Sequence, residues 1–520
     1  MDFSEQLHRI KRKLQSVRKL DPKGKRSFGA DTHRYRLGKP LSEERIKDFE
    51  TKCRITLPED YRAFLTTVGG SIDDKYSGAG PYYGIYSLKH IEDDCGDSSS
   101  FKEFVQKLIA PCTVFPNMDK EEWEKANDEE EYYPYHGMMV FGTQGCTYQM
   151  MLVLNGKYRG RVVYIDEERS GLPFFTYEKN FLDWYERWLD EILAGYDLEW
   201  FGFRIGGDSQ TLIRLFRETN DESLQQSCIG SFSKFPRLDE TSLSFLETAV
   251  QAGSSPIKCQ AIQMLAKFDY SRSKPYLAQA IFGKENDKLA AFKAIHLYAE
   301  KHRNDWAEQV LAVLPEIKEE ETLDFATYIL ENNKGFLNTL MAIPDPPPFV
   351  LIRIIEKLAK NNKTDCLEFF YRGLDNPSDT IVCRTLRALR IMKTFVEPGF
   401  LPYFEKLIDK YSMQYEKRKQ DNPQDEELMM EESSYRMTQK FPRLAWSPQV
   451  IESKILWWLH SCLKPYDYNA DALVMKMSEL SHEAIAHLAK EDLERRIRIC
   501  NKRKKRKTLW TKLRRLLFLK

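Results

Sequence analysis

The hydrophobic period of this chain changes near residue 200, and that change limits the folds open to it. Between about 37 and 198, helical spacing mixes with apolar runs, glycine turns and many aromatics; from about 236 to 411 the pattern is almost purely helical. A chain of 520 residues exceeds one ordinary core, at roughly 100–200 residues per domain. The expectation is therefore an α+β N-terminal domain over 37–198 followed by an all-α, solenoid-like domain over 236–411. Around these we place a basic N-terminal segment (1–36), a connecting segment (199–235), a charged linker (412–446), C-terminal helices (447–493) and a basic amphipathic tail (494–520).

Charge narrows the function. The formal net charge is +1, but residues 1–36 carry 11 Lys/Arg against 4 Asp/Glu and residues 494–520 carry 13 against 1, which leaves −18 for the body between them. An acidic body disfavours specific nucleic-acid binding, because phosphates need a basic face. No apolar run approaches the ~18 residues of a membrane span, and the basic N-terminus has no apolar core of a signal peptide behind it, so a cytoplasmic location is expected. The ten cysteines are scattered without a C-x-x-C pair, which suggests neither a zinc knuckle nor a disulfide framework.

Within the first domain, Ser42 suits an N-cap with Ile46, Phe49 and Cys53 on one helical face. Pro58 suits a first helical position, followed by Tyr61, Phe64, Leu65 and Val68 and stopped by Gly69-Gly70. Asn155-Gly156 between two apolar runs signals a hairpin, and Gly160 a bend. Asn180 caps a helix whose Phe181, Trp184, Tyr185, Trp188, Leu189 and Ile192 form one broad apolar stripe. Burying six such side chains contributes on the order of 10–18 kcal/mol before entropy is subtracted, so this helix must cover a sheet.

These residues resemble the SUKH superfamily, the Smi/Knr-type domain. The resemblance rests on Leu57-Pro58 with Tyr61, Phe64 and Leu65; on Gly80-Pro81 with Tyr83 and Gly84 before Ile85-Tyr86; on Phe141-Gly142 with Gly145-Cys146; on the Leu152–Gly156 hairpin with Gly160 and Val162; and on Phe181, Trp184 and Trp188. It implies one mixed sheet flanked by helices and a non-enzymatic binding role, in bacteria commonly an immunity protein that neutralises a nuclease-type toxin. The segment 89–137 is longer and more acidic than the family pattern. Farther on, SSPIKCQAIQMLAKF, NDKLAAFKAIHLYAEK and SDTIVCRTLRALRIM begin alanine- and leucine-rich helices near 256, 287 and 379 and resemble HEAT-type repeats, interrupted where the prolines of 343–350 must break a helix.

Catalytic signatures are mostly absent. There is no P-loop and no G-x-S-x-G elbow, and the glycines of 78–84 lack dinucleotide spacing. His482 and His487 are five apart and diverge on a helix by ~140°, which argues against a metal pair. Cys146 with His136 could form a thiol and base, but a free cysteine in a tight turn is ordinarily structural. No cofactor is implied. The partner surface is expected at Asp119, Glu121, Glu122, Glu124, Asp128, Glu129, Glu130 and Glu131, since residues 37–198 carry 30 acidic and 18 basic groups and would steer toward a basic toxin domain. Tyr82 and Tyr83 in the glycine turn are the expected aromatic anchors. In the tail, Leu509, Trp510, Leu513, Leu516 and Leu517 fall on a ~120° helical stripe with Lys512, Arg514 and Arg515 outside it, which suits weak contact with a membrane surface or an acidic partner. The function expected is occlusion of a toxin by tight binding; the alternative is an intracellular scaffold or adaptor that uses the helical repeats and the tail.

Overall fold

A computed structural model describes the backbone of residues 2–70, 78–93, 98–127, 135–168, 171–392, 397–440 and 446–517; the side chains of 98–100, 126–127, 467–469 and 502–517 lie outside the description. The chain divides into two compact units, Met1–Arg303 and Asn304–Lys520.

The first unit is built on a four-stranded sheet, β1 (Met138–Gly145), β2 (Tyr148–Val153), β3 (Val162–Asp166) and β4 (Phe174–Phe175), in sequential order. All three pairings are antiparallel. The α+β class is as expected, but the sheet is antiparallel rather than mixed, because each strand turns directly into the next and no crossover intervenes. The β2–β3 connection carries Gly156 and Gly160 at φ 74° and 87°. It is a long loop, since the Asn155 carboxamide accepts from Cys112 N (2.9 Å) and donates to Ala110 O (2.8 Å) instead of closing a tight turn.

The sheet is buried on both faces. Met150, Leu152, Val162 and Tyr164 join one core, and Met151, Val153, Val163 and Ile165 join another. The first face is covered by α1 (Ser4–Leu20), α2 (Glu43–Cys53), α3 (Glu59–Thr67) and α4 (Phe181–Ala194). Every member of the expected Phe181–Ile192 stripe is at most 1% exposed, and Trp184 Nε1 donates to the Tyr164 hydroxyl at 3.0 Å. Asn180 caps this helix by accepting from Asp183 N, 2.9 Å. Ser42 caps α2 through Arg45 N, 3.1 Å; Ser42→Ala should lower the stability of this unit by about 1 kcal/mol, read from a urea midpoint. Pro58 is itself the residue before the helix, one place earlier than its expected position.

Three boundaries differ from expectation. The basic N-terminal segment is part of the first unit's core: Leu7, Ile10, Leu14 and Val17 are buried there, while Arg9 and Lys13 reach Glu186, each at 2.8 Å. The region 199–235 is not a plain connector, since it holds the helices Ser209–Glu218 and Glu222–Gly230. The described part of 412–446 is mostly helical: it holds the second half of the helix Leu401–Asp421 and all of Glu426–Lys440. Glutamate, lysine and methionine are good helix formers, and Glu431 fixes the second helix by accepting from Gln449 N (2.5 Å) and Val450 N (2.7 Å).

The helices that close the first unit pack in a solenoid-like way. Ser255–Phe268 packs against Glu240–Ala252 before it, and both Tyr270–Ile281 and Glu285–Tyr298 after it. In the second unit, Pro348–Lys360 packs on Leu367–Leu374 and Asp379–Ile391, and the latter on Ile451–Leu463. The proline run ends where helix Pro348–Lys360 begins. Ion pairs recur between successive layers, as Asp324 with Arg353 and Glu356 with Arg384.

Candidate functional site: an aromatic rim at the sheet end

The β1–β2 connection is a tight turn whose last paired residues are Gly145 and Tyr148. Gly145 (φ 103°) and Cys146 (φ 50°) are both left-handed. Gly145 has a second reason to lack a side chain: a Cβ there would stand 2.6 Å from the Tyr83 ring. Tyr83 N donates to Thr143 O at 3.3 Å, which ties the glycine turn to this strand end. The Tyr83 ring, half-buried, meets Phe28 edge to face at a centroid distance of 5.4 Å.

Side chains alternate along β2, so Tyr148 shares the face of Met150 and Leu152. As the cross-strand partner of Gly145 it stands on the side that Tyr83 covers. Phe28 is 59% and Tyr148 49% exposed. Phe28 and Tyr83, in contact, and Tyr148, paired with Gly145, thus lie at one end of the sheet, a composition that favours protein contact because such rings bury large area at small entropic cost.

The expected site residues separate. Tyr82 is 6% exposed, φ 55°, and its hydroxyl donates to Phe201 O at 2.8 Å. It is a core residue and not an anchor; burial also pushes its hydroxyl pKa well up. Asp119, Glu121, Glu122 and Glu124 are exposed on and before the helix Lys120–Asn127. Two of them serve the helix itself, because Glu122 N donates to Asp119 Oδ1 (2.8 Å) and Asp119 N to Glu122 Oε2 (2.9 Å), a reciprocal cap. Glu124 pairs with Lys120 at 3.3 Å. Asp128, Glu129, Glu130 and Glu131 lie outside the described residues. Trp123 seats this helix in the second core, so the acidic helix and Tyr83 belong to opposite faces of the sheet.

The thiol and base pair does not form. His136 and Cys146 sit beyond opposite ends of β1, whose eight residues put about 26 Å between those ends at about 3.3 Å per residue. His482 is buried, its Nε2 2.9 Å from Ser453 Oγ and its ring stacked on Tyr415 at 4.3 Å, whereas His487 is 43% exposed beside Glu491. Among the described residues no group of three or more His, Cys, Asp or Glu side chains could hold a metal ion. No described helix is long and apolar enough to cross a membrane.

One buried cluster escaped the sequence. Arg187 on α4 pairs with Glu178 (2.5 Å) and Glu191 (2.9 Å), and Lys234, fully buried, pairs with Glu191 at 2.9 Å and donates to Ile205 O at 2.7 Å. Burial opposes the charge on Arg187, but Glu178 and Glu191 outweigh it and hold its pKa above the ordinary value. For Lys234 burial wins over Glu191, and its pKa falls to about 8. Arg187 also donates to Arg204 O at 2.5 Å. These bonds use the charges to fasten the segment after α4, while Glu178 keeps one buried oxygen, Oε2, without a hydrogen-bond partner. The i,i+4 pair of Arg187 and Glu191 inside an apolar helix was the available signal.

Fold and site together define a sheet-and-helix domain with an aromatic rim at one end of its sheet. Residues 40–187 match the SMI1 / KNR4 family (SUKH-1), and a SUKH-1 domain is therefore present over that range. No curated protein matches the chain.

Proposed function

We propose that the SUKH-1 domain is a non-catalytic protein-binding module that neutralises a toxin, of nuclease type, by occluding it. The observation that carries this reading is the aromatic rim of exposed Phe28 and Tyr148 and half-buried Tyr83, the last two within the residues that match the family, with the acidic helix on the far face as a steering charge toward a basic partner. The rim supplies affinity and the charge supplies association rate, so the two are separable.

The test is co-expression with the toxin encoded by a neighbouring gene, scored by growth rescue and by affinity of the purified pair. Phe28→Ala with Tyr148→Ala should weaken binding at least about tenfold, as for central aromatic anchors. Glu121→Lys with Glu124→Lys, which spares the Asp119–Glu122 cap, should slow association several-fold at low salt and leave dissociation unchanged. Rescue and affinity untouched by the aromatic pair would remove the rim from the reading.

A second reading, a scaffold or regulatory adaptor, is favoured by the solenoid-like stacking, which creates extended surface independent of the SUKH-1 domain. Recovery of several cellular partners by the full chain, unaffected by the rim substitutions, would support it.

A further inference from the structure

The second unit contains a 35-residue helix, Glu483–Leu517. Ala484, Ile485, Ala486 and Ala489 are buried. The last buried side chains described on it are Asp492 and Arg496, 4% and 5% exposed. Arg496 is clamped there: it donates to Asp492 (3.0 Å), to Asp471 (3.0 Å) and to Leu463 O (2.8 Å). Beyond this base the backbone stays helical to Leu517, an arm of roughly 30 Å at about 1.5 Å per residue.

The sequence of the arm is unlike the rest of the chain. No acidic residue follows Glu494, and residues 497–520 contain 11 Lys/Arg. Six of these form the run 502–507, which is followed by leucines and a tryptophan at positions 509, 510, 513, 516 and 517. That spacing is the i, i+1, i+4, i+7, i+8 pattern of one helical face. A helix that carries an unbroken basic run beside one apolar face matches a surface that is both anionic and apolar.

We propose that this arm docks on an anionic lipid surface, with the 502–507 run at the headgroups and the 509–517 apolar face entering the interface. Two anionic classes would attract such charge. Nucleic acid would use the lysines and arginines, but phosphates give no role to an apolar face with four leucines, whereas a lipid interface uses both. The inference holds whichever partner the SUKH-1 domain takes.

The full chain is sedimented with vesicles of phosphatidylcholine and phosphatidylserine, and with phosphatidylcholine alone. At low salt we expect binding to the first and not the second, weakened steeply by added salt. Leu513→Gln with Leu516→Gln, which preserves every charge, should reduce binding about tenfold; Lys504→Glu with Lys505→Glu should do the same. These positions lie past the last described buried residue, and an unchanged urea midpoint verifies that the fold is intact. Absence of anionic-vesicle binding at low salt overturns the proposal. So does vesicle binding that survives the leucine substitutions, and duplex DNA that binds more tightly than the anionic vesicles would reassign the arm to nucleic acid.

Discussion

Arg187→Met is expected to destabilise the first unit by about 3–5 kcal/mol, the usual cost of removing one member of a buried ion cluster. The loss exceeds the value of the contacts themselves, because Glu178 is left buried without its cation and Arg204 O without its donor. Glu191 fares better, since Lys234 still reaches it at 2.9 Å. The double variant Arg187→Met with Glu178→Gln should therefore recover part of the loss, and the non-additivity measures the coupling. Urea unfolding of the four species, followed by circular dichroism, gives the cycle. A single-variant cost below about 1 kcal/mol, or strict additivity, would show that the cluster is not what fastens residues 199–235.

Acidification is expected to weaken both units well before most carboxylates titrate. His33 in the first unit, and His460 and His482 in the second, are at most 4% exposed, and burial lowers the pKa of each to about 4. Lys464 adds to the shift at His460 and Lys419 at His482, while Asp31 near His33 opposes it. In the unfolded chain a histidine takes its proton near pH 6.5. The folded state therefore binds fewer protons between 6.5 and 4, so stability is complete above that window and is lost as pH falls through it. Each histidine should cost about 2 kcal/mol at pH 5. Urea midpoints at pH 7.5 and 5 should separate clearly, and His33→Gln and His482→Gln should each narrow the gap. Midpoints that coincide at the two pH values would mean that these imidazoles are solvated or already charged in the fold.

Much of the first unit was legible because its strongest signals are local. Asn180 with its six-residue apolar stripe, and Ser42 with Ile46, Phe49 and Cys53, lie where period and capping put them. The N-terminal helix carries the same kind of signal at Leu7, Ile10, Leu14 and Val17, which the charge excess of residues 1–36 masks. The 412–446 stretch misled for a similar reason. Its charges suit an exposed helix as well as a loop, and among its described residues only Tyr415, Leu428 and Glu431 are buried.

The site was harder to read than the fold. Tyr82 and Tyr83 are adjacent and chemically identical, yet a left-handed turn sends one hydroxyl to Phe201 O and leaves the other ring against Phe28. Sequence by itself determined the period, the caps and the family pattern, since these depend on neighbours a few positions apart. Only the tertiary structure decided that residues 28, 83 and 148 share one sheet end while the acidic helix covers the other face. It also decided that Arg187, Glu191 and Lys234 meet. Such contacts join positions tens of residues apart, and no local spacing encodes which distant backbone will arrive.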